Sequence, residues 1–245
     1  MKKIIMVFIF LFVITFNCFA QISEEDELNK AREYNINNNF DEAIELYNKI
    51  IEANPQSVKA HIGRGISYEH KGNLDQAIVD YNKAIEIDPN YENAYYDRGL
   101  VYDKQDNLSQ AISDFSKAIK LNPNDAGAYD NRGLAFYKQD NLSQAISDFS
   151  KAIELNPNDP KFYEHRGHLY VQQHNPDQAI IDLNKTIGID PKNDLAYLDR
   201  AFAEVYLKNY DNAWDDVHKI ESLGMGNEIP QDFLKGLRGL SGRDQ

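Results

Sequence analysis

The chain is poor in several things at once, and each shortage closes a class of function. Among its 245 residues there is a single cysteine, Cys18. One thiol makes no intrachain disulfide. Basic residues are outnumbered, 26 Lys and Arg against 39 Asp and Glu, for a formal net charge of −13. That balance argues against nucleic acid, whose phosphates are held by Lys and Arg with release of counterions. It argues equally against an anionic membrane surface. There is no glycine-rich phosphate loop and no G-x-S-x-G nucleophile turn.

Long hydrophobic runs are missing too, with one exception at the start. Lys2 and Lys3 precede thirteen mostly apolar residues, 4–16, followed by Asn17-Cys18-Phe19-Ala20 and Gln21. The run is too short to span a bilayer comfortably. A basic start, a short apolar stretch and a small residue at its end make a secretory signal. The expectation is a signal peptide over residues 1–20, cleavage after Ala20, and a periplasmic or secreted mature chain with no direct membrane insertion. Cleavage there removes the only thiol, which leaves packing and charge to stabilise the fold and rules out thiol catalysis. The alternative is a lipid anchor on Cys18, although Phe16 and Asn17 stand where such processing wants small residues.

What the chain does have is a period. KQDNLSQAISDFSKAI at 104–119 returns letter for letter at 138–153, an offset of 34 residues. Pro55, Pro89, Pro123, Pro157 and Pro191 fall at the same interval of 34. Arg64-Gly65 with Ala77 recurs as Arg98-Gly99 with Ala111, Arg132-Gly133 with Ala145, and Arg166-Gly167 with Ala179. These residues resemble the tetratricopeptide repeat family, whose 34-residue unit is a helix–turn–helix. In the third repeat the family pattern falls on Tyr95, Arg98, Gly99, Tyr102, Ala111, Phe115, Ala118 and Pro123. The resemblance divides the chain into repeats at 24–57, 58–91, 92–125, 126–159, 160–193 and a degenerate 194–227, and implies an all-α, right-handed superhelical solenoid. The first repeat carries Ala31 in place of the glycine and the last Met225 in place of the proline, departures common in terminal repeats. A solenoid unit touches only its neighbours, so an identical unit fits the face that its predecessor presents; the duplicated segment speaks of interchangeability rather than of catalysis.

The residues read alone agree. Tyr95, Gly99 and Tyr102 form one stripe at helical spacing and Ala111, Phe115 and Ala118 another. Small residues admit close helix approach and large rings fill the gaps. Asn107 three residues before Gln110 reads as a capping box, repeated at Asn73…Gln76, Asn141…Gln144 and Asn175…Gln178, with Pro176 opening a helix. After Gly226, Pro230 suits the first turn of a capping helix over 228–241, with Phe233, Leu234 and Leu237 inward and Lys235, Arg238 and Arg243 toward its end.

Residues able to do chemistry are few. His165 and His168, beside Glu164, share a helix face but lack the further ligands a metal needs, and His174 falls in the following turn. They read as polar side chains facing a groove. Trp214 stands where other repeats carry isoleucine and reads as a core residue sealing the last repeat. No enzyme, metal or cofactor is expected. Arg64, Arg98, Arg132, Arg166 and Arg200 recur with Asp80, Asp114, Asp148, Asp182 and Asp216, while the first repeat lacks both, having Lys30 and Leu46. Joint presence and joint absence predict a structural ion pair inside each repeat.

The resemblance further implies that the first helix of each repeat lines a concave wall that holds a peptide or partner protein. The inner positions are Asn93, Tyr96, Asp97, Leu100, Asp103 and Lys104 in the third repeat. They are Gly127, Asp130, Asn131, Leu134, Tyr137 and Lys138 in the fourth, and Lys161, Glu164, His165, His168, Val171 and Gln172 in the fifth. Apolar and aromatic groups among amides and charges suit an extended peptide or a partner helix. The carboxylate clamp of chaperone adaptors is absent, because its positions here are Leu28, Arg32, Gly63, Asn93 and Asp97, of which one is basic. The function expected is an exported, non-enzymatic scaffold for a protein partner. Its rival is a structural spacer of an envelope complex.

Overall fold

Between one proline and the next the chain makes two helices, and the reason lies in two kinds of turn. A computed structural model describes residues 24–242. Residues 24–121 carry α1 (24–36), α2 (Phe40–Ala53), α3 (Val58–His70), α4 (Leu74–Ile87), α5 (Glu92–Lys104) and α6 (Leu108–Leu121). Residues 122–242 form a second compact unit with α7 (Ala126–Lys138), α8 (Leu142–Leu155), α9 (Pro160–Gln172), α10 (Pro176–Ile189), α11 (Asp194–Tyr206) and α12 (Tyr210–Ser222). A 3₁₀ turn (Gly226–Glu228) and α13 (Gln231–Ser241) complete it. No strand occurs among the described residues, so the fold is all-α. None of the described helices is long and apolar enough to cross a membrane. The expected signal peptide, Cys18 and Arg243 lie outside the described residues.

The turn inside each repeat is closed by backbone. Asn38, Gly72, Asp106, Asp140, His174 and Lys208 adopt positive φ, between 55° and 77°. The next residue, an asparagine in all six repeats, donates its N–H five residues back, as Asn73 does to Tyr68 O at 2.8 Å and Asn141 to Phe136 O at 2.9 Å. This is a Schellman closure, which satisfies the last carbonyls of the first helix. The same asparagine then starts the second helix with ψ of 64° at Asn73, 67° at Asn141 and 72° at Asn175, and none of these three makes a side-chain cap. The capping boxes expected at these three asparagines are therefore not formed. That backbone angle turns the carboxamide away from the first-turn N–H groups; Asn141 instead donates to Gln144 and Asn107 to Gln105. Side-chain caps sit on the first helices, where Ser57, Asp125, Asp159 and Asn193 have extended backbone and accept from the first turn.

The turn between repeats is an Asx turn. Asp88 Oδ1 accepts from Asn90 N at 2.9 Å, and Asn54, Asn122, Asn156 and Asp190 do the same around their prolines.

Packing follows from size. Ala111, Phe115 and Ala118 are fully buried, as are their counterparts Ala145, Phe149 and Ala152. Each such ring contributes about 1.5–3 kcal/mol of burial. It lies against the glycine of the preceding helix, Gly99 for Phe115 and Gly133 for Phe149. Tyr95 and Tyr102 depart from the expected stripe: they are half-buried, and their rings flank Arg98 at 5.8 Å each. The fully buried positions of α5 are Ala94, Gly99 and Val101. At the end, Leu234 and Leu237 of α13 pack with Trp214, Val217 and Ile220 of α12, while Lys235 and Arg238 face water. Pro230 precedes this helix as its N-cap residue rather than entering its first turn.

Candidate functional site

The arginines come first, because they hold the helices that carry everything else. Arg98 Nε and Nη2 donate to Asp114 Oδ2 and Oδ1, both at 2.7 Å. Arg132 meets Asp148 at 2.7 and 2.8 Å, Arg166 meets Asp182 at the same distances, and Arg64–Asp80 and Arg200–Asp216 are bidentate too. The carboxylates are buried and the guanidinium groups about one-fifth exposed. Asp80 also takes the buried imidazole of His61 at 3.3 Å. The sequence reading missed a second role. Arg64 Nη1 reaches Asn48 of the preceding repeat at 2.6 Å, Arg166 reaches Ser150 at 2.9 Å, and Arg98 and Arg200 reach Asn82 and Asn184. One guanidinium thus ties two helices of its repeat to the repeat before it. The signal was present as Asn or Ser at a common offset.

In residues 24–121 the candidates of α5 are only partly open. Asn93 and Lys104 are exposed, and Lys104 pairs with Glu69 at 2.7 Å, which also accepts from Tyr81. Tyr96 sets its ring edge-on against Phe115, centroids 5.9 Å apart. Asp97, Leu100 and Asp103 are half-buried. Burial, then the nearby carboxylates of Glu69 and Glu92, push the Asp97 carboxyl up to about 7.

In residues 122–242 the helices α7, α9 and α11 surround an apolar cavity of about 410 Å³. Leu134 and Tyr137 come from α7, His165, His168 and Leu169 from α9, and Leu198, Asp199 and Phe202 from α11, with Phe149 of α8 behind. His168 Nδ1 lies 2.9 Å from Asp199 Oδ2, and its ring is edge-on to Tyr137. Gln172 donates to Tyr137 Oη at 2.6 Å and lies 2.9 Å from His168 Nε2. The bond to Asp199 raises the His168 pKa, with burial opposing.

Several groove candidates lie elsewhere. Asp130 is 7% exposed and sits behind His165, whose Nδ1 is 2.8 Å away; it anchors that imidazole instead of facing a ligand. Val171 is buried in the core with Ala179 and Leu183, because its position faces the second helix. Asn131 donates to Gly127 O of its own helix at 3.0 Å. Lys138 and Lys161 are exposed and outside the cavity lining. Trp214 is buried in the terminal core and donates to Ser241 Oγ at 3.1 Å. The residues of α11 were missed, although the inner offsets used for the third to fifth repeats point to Leu195, Leu198, Asp199 and Phe202 when carried into the sixth. No group of three or more His, Cys, Asp or Glu converges as a metal site among the described residues.

Models described as TPR repeat match residues 68–106 and 135–174, and others described as tetratricopeptide repeat match 28–57, 46–79, 92–125 and 160–193. Together they cover 28–125 and 135–193. The chain belongs to the tetratricopeptide repeat family. No curated protein matches this TPR chain. Among solved structures it is similar to pilF of Pseudomonas aeruginosa, at 19% identity and TM-score 0.77 over 87% of this chain and 97% of that one. It is similar to MamA at 27% identity and TM-score 0.62, over 66% and 95%. YrrB, described as a TPR protein with an unusual peptide-binding site, aligns at 23% identity and TM-score 0.63, over 72% and 91%. TPR proteins generally serve as interaction scaffolds without enzymatic chemistry.

Proposed function

We propose that this TPR protein is an exported, non-enzymatic adaptor that holds a peptide or a partner protein against the first helices of its repeats. The observation that carries the reading is the apolar cavity bounded by α7, α9 and α11, in whose lining Tyr137, His168 and Asp199 are linked by hydrogen bonds. The peptide-binding site named for YrrB lends it support. The adaptor needs no cofactor and binds no nucleic acid, in keeping with its net charge of −13. Export rests on the basic start and apolar run of residues 1–20; a mature N-terminus at Gln21, read by terminal sequencing of the secreted or periplasmic protein, is the expected result.

The test is affinity capture from envelope extracts with the wild type and with a variant in which Leu134, Tyr137 and Leu195 become Ala. A partner retained by the wild type and lost by the variant, with helicity unchanged, supports the groove. If the variant retains every partner and deletion of one whole repeat abolishes function, the chain is a spacer instead.

A further inference from the structure

The cavity of residues 122–242 has an uneven chemistry that its shape alone does not require. Its lining holds two carboxylates, Glu164 and Asp199, two imidazoles, and no Lys or Arg. Each carboxylate is used on one oxygen only. Asp199 Oδ2 meets His168 Nδ1, and Glu164 Oε2 accepts from Asn193. Asp199 Oδ1 and Glu164 Oε1 take no hydrogen bond among the described residues. The imidazoles are held from behind: His165 Nδ1 by the buried Asp130 at 2.8 Å, and His168 by Asp199 on one nitrogen and by Gln172 and Tyr137 around the other. Leu134, Leu169, Leu198 and Phe202 supply most of the apolar part of the lining, taken as its floor.

A ligand fitting this wall presents a bulky apolar group to the floor and a positive charge to the rim. A carboxylate in the same place would face two carboxylates across a partly dry surface, where like charges repel strongly. One cavity in residues 24–121, beside Tyr47 and Gly63, supplies a contrast within the same chain. Its lining includes Arg32 and Lys59 beside Ile36, Ile62 and Ile66, and no carboxylate.

Resting on the adaptor reading above, we propose that the cavity between α7, α9 and α11 selects peptide segments in which a Leu- or Phe-sized side chain stands next to Lys or Arg. The apolar side chain fills the floor and contributes most of the affinity. The cation takes Asp199 Oδ1 and Glu164 Oε1 and sets the choice between partners, as charge at an interface rim does.

The test uses fluorescence anisotropy of the purified full chain with three labelled peptides on one uncharged Gly/Ser frame. The first has a central Phe-Lys-Leu-Lys, the second replaces its Lys by Glu, and the third replaces its Phe and Leu by Ser. The expected order places the first about tenfold or more above each of the others, a difference that added salt shrinks. In the double variant Asp199→Asn, Glu164→Gln the preference for Lys over Glu falls to about threefold or less, while the Phe/Leu dependence persists and circular dichroism is unchanged. Equal binding of the Lys and Glu peptides overturns the charge selection; if capture still depends on Leu134, Tyr137 and Leu195, the adaptor reading stands without it. A preference for Lys that survives the double variant, or absence of binding by all three peptides, also overturns the proposal.

Discussion

Replacing Gly133 by Ala should destabilise the protein, although glycine in a helix interior is normally improved by that change. Intrinsic propensity alone predicts a gain of about 1 kcal/mol. The structure predicts the opposite sign. A Cβ on Gly133 would stand 2.7, 2.9 and 3.2 Å from Cε1, Cδ1 and Cζ of Phe149. That ring is 1% exposed and has nowhere to retreat. Forcing extra volume into a packed core costs about 1–3 kcal/mol, and with side-chain contacts this short the upper part of that range applies, so the net loss should approach ~2 kcal/mol. Gly236→Ala in α13 is the control, because nothing lies within 4 Å of its Cβ; it should gain up to about 1 kcal/mol. The chain has already written the remedy in its last repeat, where a buried Ala201 occurs with Val217 at the ring position. Gly133→Ala should therefore be less costly on a Phe149→Val background, with a coupling of about 1 kcal/mol or more. Urea unfolding followed by circular dichroism measures all four proteins of the cycle, and an unchanged m value guards against repeats unfolding separately. A Gly133→Ala protein as stable as Gly236→Ala, or a cycle with no coupling, would refute the packing argument.

Three further predictions use the same assay or a simple companion. Arg98→Ala leaves Asp114 buried without its partner and should cost about 3–5 kcal/mol, whereas Arg98→Met with Asp114→Leu should recover most of the loss; equal losses in the two proteins would contradict the pairing. Asp97 binds its proton more tightly folded than unfolded, so its ionisation costs stability as pH rises from the ordinary value of 3.8 through about 7. Asp97→Asn should be ~2–4 kcal/mol more stable than the wild type at pH above that range, with the advantage vanishing toward acid; a pH-independent difference would disprove the shift. Truncation before Glu228 uncovers Trp214, Val217 and Ile220, and should lower the melting temperature and promote association measured by sedimentation. A truncated chain that stays monomeric and melts like the parent would remove α13 as a cap.

What was legible in the sequence, and what was not, divides along physical lines. The period and the small and large residues were enough for two helices per repeat, because each repeat must solve the same packing problem. The co-occurrence of Arg98 with Asp114 points to the partner, but not to the guanidinium's third bond, since an Asn or Ser on a helix surface has many other uses. The left-handed turn residues escaped notice because Asn38, Asp106, Asp140 and His174 are of types that tolerate positive φ without being reserved for it, as glycine at Gly72 nearly is. The five that are not glycine are held there by the backbone bond that follows them. Asp130 misled for another reason: a carboxylate on a groove-facing offset is exposed only until a neighbour such as His165 claims it. Gly63 shows the converse. Its missing side chain is demanded by Tyr47, whose ring carbon Cζ would stand 2.2 Å from a Cβ there, and no local pattern announces a ring arriving from the preceding repeat.

The duplicated segment finally bears on where specificity would reside under the proposed function. The identical stretch, 104–119 and 138–153, begins at the last residue of α5 and of α7 and runs through the turn and most of the second helix. It holds Asp114 and Asp148, Phe115 and Phe149, and the turn asparagines: the groups that close a repeat on itself. The first helices ahead of it are not copied. At one inner offset the chain places Leu134, His168 and Phe202, at the next Glu164 and Leu198, and at a third His165 and Asp199. Where every repeat must meet the same neighbour, the letters repeat; where, on the proposed reading, each would meet a different part of a ligand, they diverge. The proposed function thus assigns stability and recognition to separate faces of the same 34-residue unit. That separation is why Leu195 or Asp199 should tolerate replacement that Gly133, Phe149 or Asp148 would not.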